Sequence, residues 1–285
     1  MTKKEYLESE NVKSFIEWFC KRLNAPAEEE ALFNHCYHHV RDNKDFTFNS
    51  LSSALNQYCW RGKSFKETEE ELKIISNQLK DFVESEEKFN DAECFCVCEK
   101  ILKWGGISRY GTISEWEQNN VLCKNLKRIK EIINSNFDLD NDYYFEIKGY
   151  VNAGFSQILS LFVDEFIIYD SRVGSALCAF VRDFCIEKGK SIPKELNFSW
   201  VIMRGENPNK RCPNTSSHKF TRLRDKDNYL LNNIKANWLL SEVVKRDTGE
   251  FGKLEQAKKG GGLRALEAAL FMVGYNIWTP AIKEK

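Results

Sequence analysis

A short apolar stretch, Phe166-Ile-Ile-Tyr169, runs directly into Asp170-Ser-Arg-Val173 and then into an amphipathic run that lasts to Phe184. No other stretch restricts the fold as tightly. Val173, Ala176, Leu177, Phe180, Val181 and Phe184 keep the i, i+3, i+4, i+7 spacing of one buried helix face. Asp170-Ser171 falls where an N-cap belongs, because a side-chain oxygen there accepts N–H groups that the first helical turn leaves without partners. The pattern predicts an extended segment, an acid at a helix mouth, and a helix packed along one side. An acid in that position is most simply a cap, and its surroundings decide whether it does more.

A chain of 285 residues can bury a full-size core, as one large domain or two lobes. With 42% apolar and 29% charged residues it has the composition of an ordinary soluble protein rather than a disordered one. Lys+Arg and Asp+Glu both number 42, which excludes an overall coat of positive charge but not a local one. No apolar run reaches the length of a membrane span, and Met1-Thr-Lys-Lys-Glu-Tyr6 has no signal-peptide core behind it, so a cytoplasmic protein without a membrane partner is expected. The ten cysteines are scattered, and in a reducing compartment most serve as small core residues. Cys94-Phe-Cys96-Val-Cys98 alternates like one face of a strand or turn and lacks zinc-knuckle spacing. His35-Cys36-Tyr-His38-His39 has no second half at zinc-site distance. No metal is expected at either.

Residues 3–100 read as helices. A first amphipathic segment carries Phe15, Trp18, Phe19 and Leu23, two more cover 28–41 and 50–60, and a long charged one covers 66–90. Another runs through Cys98 to Trp104 and stops at Gly105-Gly106; the next spans 116–134, and a polar loop follows to Asp142. Phe145 to Asn152 reads as a turn-like piece, followed by a helix with Phe155, Ile158, Leu159 and Phe162 on one face. Beyond the Asp170 helix come Pro193, a basic, loop-like tract from Arg204 to Lys226, a helix from Asn232 to Lys245, and a last helix opened by Gly260-Gly-Gly262. No alternation exceeds five residues, so the fold is expected to be mostly α. Residues 1–95 form an N-terminal helical region and 96–285 the domain that carries the site.

The centre therefore reads as helix, tight turn, helix, short extended piece, acid, helix. The turn Lys148-Gly149-Tyr150-Val151-Asn152 can aim backbone N–H groups at an anion. Three stretches stand in order around it: Lys103-Trp-Gly-Gly-Ile107, Ile168-Tyr-Asp-Ser-Arg-Val173, and Leu263-Arg-Ala-Leu-Glu-Ala-Ala-Leu-Phe-Met-Val-Gly274. In these the chain resembles the helix-hairpin-helix DNA glycosylases, and most of all the prokaryotic proteins with an 8-oxoguanine-glycosylase fold, over residues 96–276. The resemblance implies a two-lobed helical fold. It also implies a hairpin on the phosphate backbone and a catalytic role for Asp170, whose carboxylate would stabilise the positive charge that glycosidic cleavage leaves on the sugar.

Two positions depart from the family pattern. The usual hairpin has two glycines around one apolar residue, and Gly149 has no such partner, so phosphate contact through Lys148 and Gly149 requires a differently shaped turn. Members that also cut the strand carry a nucleophilic lysine just after the hairpin. That position falls within Val151 to Ala153, none of which is lysine, and Lys148 lies on the wrong side of the turn. Without an amine there is no Schiff base, so the expected enzyme is monofunctional.

Trp104 is a candidate to stack on an extruded base or simply ends a buried helix, while Asn152 and Gln157 are candidates to hydrogen-bond a base edge or are plain polar helix positions. Arg172, Arg204, Asn207, Asn209, Lys210 and Arg211 are the candidate phosphate contacts; a surface ion pair for Arg172 and a solvated loop for the others read the same way. His218 is expected at the surface. The expected partner is double-stranded DNA, with no cofactor and no obligate protein partner inferred. The expected substrate is a hypermodified cytosine of phage DNA, such as glucosylated hydroxymethylcytosine, because similar glycosylases serve in antiviral defence. Oxidised purine is the alternative base, and a non-catalytic helical nucleic-acid-binding module is the alternative class.

Overall fold

The computed structural model describes residues 1–23, 35–39, 43–84, 90–135, 137–202, 208–223 and 228–278. It is mostly helical. The helices are α1 (Lys3–Glu8), α2 (Glu10–Leu23), α3 (Leu51–Asn56), α4 (Phe65–Glu84), α5 (Asp91–Trp104), α6 (Gly111–Gln118), α7 (Leu122–Asn134), α8 (Asp142–Ile147), α9 (Ala153–Leu159), α10 (Ser171–Glu187), α11 (Tyr229–Arg246), α12 (Glu250–Ala257) and α13 (Gly261–Val273). Among the described residues no helix is long and apolar enough to cross a membrane.

The helix expected over 28–41 is not there in its described part. His35–His39 is a strand, β1, paired antiparallel with β2 (Lys44–Phe48) in the register His35↔Phe48 and Tyr37↔Phe46. The cause is a period of two: His35, Tyr37, Phe46 and Phe48 point inward, while Cys36 and His38 point out. Asn43, just before β2, takes a left-handed φ of 47°, which asparagine tolerates better than most residues. Cys94, Cys96 and Cys98 lie on α5 rather than on a strand face. Asn90 caps that helix, and Cys94, Val97, Cys98 and Ile101 follow its buried side. The single helix expected over 116–134 is two, broken where Asn120 adopts φ 53°. Asp91, buried on α5, accepts the Leu122 and Cys123 N–H groups at 3.0 and 2.9 Å and so caps α7 from a neighbouring helix. A cap supplied from outside the helix leaves no local signal in the sequence.

One hydrophobic cluster joins residues from Tyr6 to Trp278, drawing on both sides of position 95. At its centre, Phe15 and Phe19 of α2 meet Phe184 and Phe180 of α10 edge to face, at 5.4 and 5.1 Å between ring centroids. Every residue of the expected α10 face is buried, and so are Gly174, Ser175, Cys178, Ala179 and Arg182. The helix is thus wrapped on nearly all sides. Arg182 is accommodated there by Asp183, at 2.8 Å, and by the carbonyls of Pro213 and Trp278. At the other end of α10, α13 arrives so closely that a Cβ on Gly274 would stand 2.0 Å from the Arg172 carbonyl oxygen. That oxygen is backbone and cannot rotate away. Gly274→Ala is therefore expected to lower stability by roughly 1–3 kcal/mol or more, read as a fall in the urea midpoint, by prising α13 off the first turn of α10.

Candidate active site

Asp170 is the N-cap of α10. Its backbone is extended, with φ −89° and ψ −179°, and Oδ1 accepts the N–H groups of Arg172 and Val173 at 2.7 and 2.9 Å. Oδ2 accepts from Arg172 Nη1 at 3.1 Å. The carboxylate is thus held by backbone on one oxygen and by a guanidinium on the other. It also faces a cavity of about 40 Å³, large enough for water. Tyr58, Trp60, Trp104, Gly105, Gln157, Ile168, Asp170, Arg172, Arg264, Glu267 and Phe271 are among the residues that line this space.

The lining is assembled from distant parts of the chain. Trp104 ends α5; its carbonyl accepts Trp60 Nε1 at 3.2 Å, and the Lys103 carbonyl, which also accepts the Gly106 N–H, accepts an Arg61 Nη at 2.7 Å. These bonds pin the segment after α3 over the end of α5, where Trp60 meets Trp104 and Phe271 edge to face. Gly105 and Gly106 close α5, and Gly105 has a further role. A Cβ there would lie 1.9 Å from Gln157 Oε1, so the missing side chain is the shelf on which the Gln157 amide rests. Gln157 is 7% exposed, and its Oε1 is buried without a hydrogen-bond partner.

Arg172 lies with its guanidinium 4.3 Å from the Phe271 ring centroid, 5.4 Å from Trp60 and 6.0 Å from Tyr275, and its Nε is also buried and unpartnered. On the floor, Glu267 of α13 is buried; it pairs with Arg264, and its Oε2 accepts the Ile168 N–H at 3.0 Å. Arg264 in turn reaches Glu69 of α4 at 2.9 Å. Burial pushes the Glu267 carboxyl up, and Arg264 opposes that shift.

Of the residues singled out in the sequence, Asp170, Trp104, Gln157 and Arg172 come together here. Arg211 closes in from behind. It is buried rather than solvated, donates to Ser171 Oγ at 2.5 Å, and is pushed down to about 10 by burial and by neighbouring Arg172. Its neighbours form a single 3₁₀ turn, Pro208–Arg211, with Asn209 exposed and Lys210 half-buried. Asn152 does not line the cavity. It caps α9, accepting the Gly154 and Phe155 N–H groups at 2.9 and 3.1 Å. Lys148 ends α8 with its ammonium 4.8 Å from the Phe145 ring. Gly149 is outside the left-handed region, and a Cβ there would meet nothing within 4 Å, so the turn does not require glycine. Arg204 and Asn207 lie outside the described residues. His218 is buried, contrary to expectation, with a ring nitrogen 3.0 Å from the Lys190 carbonyl.

The sequence reading missed Tyr58, Trp60, Arg264, Glu267 and Phe271. For two of them a signal existed: between Leu263 and Val273, Arg264 and Glu267 are the only charged residues in an otherwise apolar helix. A charge placed there is buried and needs a partner. Comparison with family models, with curated proteins and with solved structures gives no match to this chain.

If the cap is the structural role of Asp170, Asp170→Ala should cost about 1 kcal/mol, while Asp170→Asn, which keeps the capping oxygen and loses only the pairing with Arg172, should cost less, as read from urea melts of both variants.

Proposed function

We propose that this chain is a monofunctional DNA glycosylase. It would hydrolyse the N-glycosidic bond of a nucleotide flipped out of double-stranded DNA and leave an abasic site. The observation that carries the reading is the placement of Asp170, a carboxylate with backbone-fixed geometry at the edge of a cavity walled by Trp60, Trp104 and Phe271. Departure of a base leaves positive charge on the sugar, and a preorganised carboxylate stabilises that charge without rearranging at the moment of reaction. The C1′–N bond breaks with its electron pair going to the base. Water then adds to C1′, and its proton leaves by way of the Asp170 carboxylate or the solvent. Aromatic walls suit stacking of the extruded base.

Among the described residues lining the cavity there is no lysine, which supports hydrolysis without Schiff-base chemistry and hence without strand cleavage. A base takes more room than the cavity offers, so entry requires Arg172 to give up its place over Phe271 and Trp60. A DNA phosphate is a natural destination for that guanidinium, and its departure would leave Asp170 Oδ2 free to face the sugar. The favoured substrate is a hypermodified cytosine of phage DNA, and the polar side chains of Gln157 and Glu267 among those lining the cavity support recognition of a base edge.

The test is a panel of duplexes carrying glucosylated hydroxymethylcytosine, hydroxymethylcytosine, uracil or 8-oxoguanine, each incubated with the protein and analysed with and without alkali. Breaks that require alkali, on a modified cytosine, are expected. Breaks on 8-oxoguanine alone would move the activity to oxidised purine. Breaks without alkali would contradict the monofunctional assignment, and DNA binding without any product would leave a non-catalytic module.

A further inference from the structure

The first turn of α10 gathers two guanidiniums around one carboxylate. Arg172 Nη1 bonds Asp170 Oδ2 at 3.1 Å. Arg211 reaches the same turn through Ser171 Oγ, at 2.5 Å, and its Nε meets the Tyr275 carbonyl at 3.5 Å. Both guanidiniums lie over the Tyr275 ring, 6.0 and 5.6 Å from its centroid. Among the described residues no carboxylate pairs with Arg211, although it is only 7% exposed. A buried charge is costly unless it is paired, and the N-terminal end of a helix, itself partly positive, adds to the cost. Arg172 and Asp170 are the charged groups that act on Arg211 most strongly, the first against its charge and the second in favour of it.

We infer that Arg211 is a positioning residue, the counter-charge that stays with Asp170 when Arg172 gives up its place in the cavity. The inference rests on the glycosylase reading above and adds a residue to that site. With Arg172 inside, two cations share one carboxylate. With Arg172 on a DNA phosphate, each cation has an anion: the phosphate for Arg172 and Asp170 for Arg211. Repulsion from Arg211 therefore favours the outward position of Arg172. Once Arg172 has left, the charge of Arg211 steadies the carboxylate that the sugar meets.

Arg211 itself is held in place. Beyond its bonds to Ser171 and Tyr275, the carbonyl of neighbouring Lys210 accepts the Ile277 N–H at 2.6 Å, which ties its turn to the segment after α13. To join the DNA backbone the guanidinium would have to leave Ser171 and Tyr275. Its charge thus acts on the acid rather than on the strand.

Single-turnover excision from the modified-cytosine duplex, with the full chain at saturating concentration, tests this in wild type, Arg211→Met, Asp170→Asn and the double variant. Arg211→Met fills the space without the charge. It should slow excision per folded molecule by on the order of tenfold, the scale of coupling between groups in one network. Arg211→Lys should recover much of that loss, and DNA affinity with its salt dependence should match wild type. In the Asp170→Asn background Arg211→Met should cost nothing further, because no carboxylate remains to be supported. If Arg211→Met does not fold, Arg211→Gln, also neutral, takes its place.

A tenfold loss that persists in the Asp170→Asn background would make Arg211 a structural prop and overturn the inference. A weaker affinity with a salt slope reduced by about one, the mark of a phosphate contact, would overturn it as well. Equal rates for wild type and Arg211→Met would overturn it and leave the glycosylase reading standing. No excision by wild type on any duplex of the panel overturns both.

Discussion

The two hydrogen bonds from the first turn of α10 to Asp170 Oδ1 organise much of what surrounds them. They satisfy N–H groups that this largely buried helix would otherwise leave open at its end. They also fix the rotamer of a carboxylate at the rim of a cavity, with its second oxygen turned to Arg172. The same first turn receives α13 through the bare Cα of Gly274, and Ser171 receives the buried Arg211. One short stretch of backbone thus aligns the acid, two arginines and the helix that bears Glu267.

The cavity floor has a different logic. Burying Arg264 and Glu267 together is expensive, and a pair of apolar residues would fill the same space at less cost. The pair lies on an otherwise apolar helix, and each member is tied elsewhere, Arg264 to Glu69 and Glu267 to the Ile168 N–H. Those ties hold two charges in fixed positions on the lining of the cavity that Asp170 also faces.

Much of the helical plan was legible in the sequence. The α10 face and the stop at Gly105-Gly106 follow from apolar spacing and capping chemistry and are found, whereas Phe145 to Ile147, read as part of a turn, belong to α8, and only Lys148 to Asn152 make the turn before α9. What was not legible depends on contacts between distant segments. The β-hairpin was hidden because a five-residue alternation is short enough to pass for helix when histidine and cysteine occupy its faces. The break before α7 depends on Asp91 of another helix. Asn152 and Gln157 looked alike as polar residues near a turn; only packing separates the cap from the side chain seated on Gly105. Trp60 and Tyr58 gave no local sign of a role, since the bonds to the end of α5 place Trp60. Arg211 looked solvated because a basic tract says nothing about which of its members the fold swallows.

The central claim is that the charge of Asp170, beyond its capping oxygen, does chemistry. The most direct test is the rate of abasic-site formation by wild type and Asp170→Asn on the same modified-cytosine duplex, with thermal melts run in parallel. The account requires a loss of excision per folded molecule on the order of a hundredfold or more, the scale at which removing one charge-stabilising group is felt. Equal rates with equal stability would contradict it and leave Asp170 as a helix cap alone.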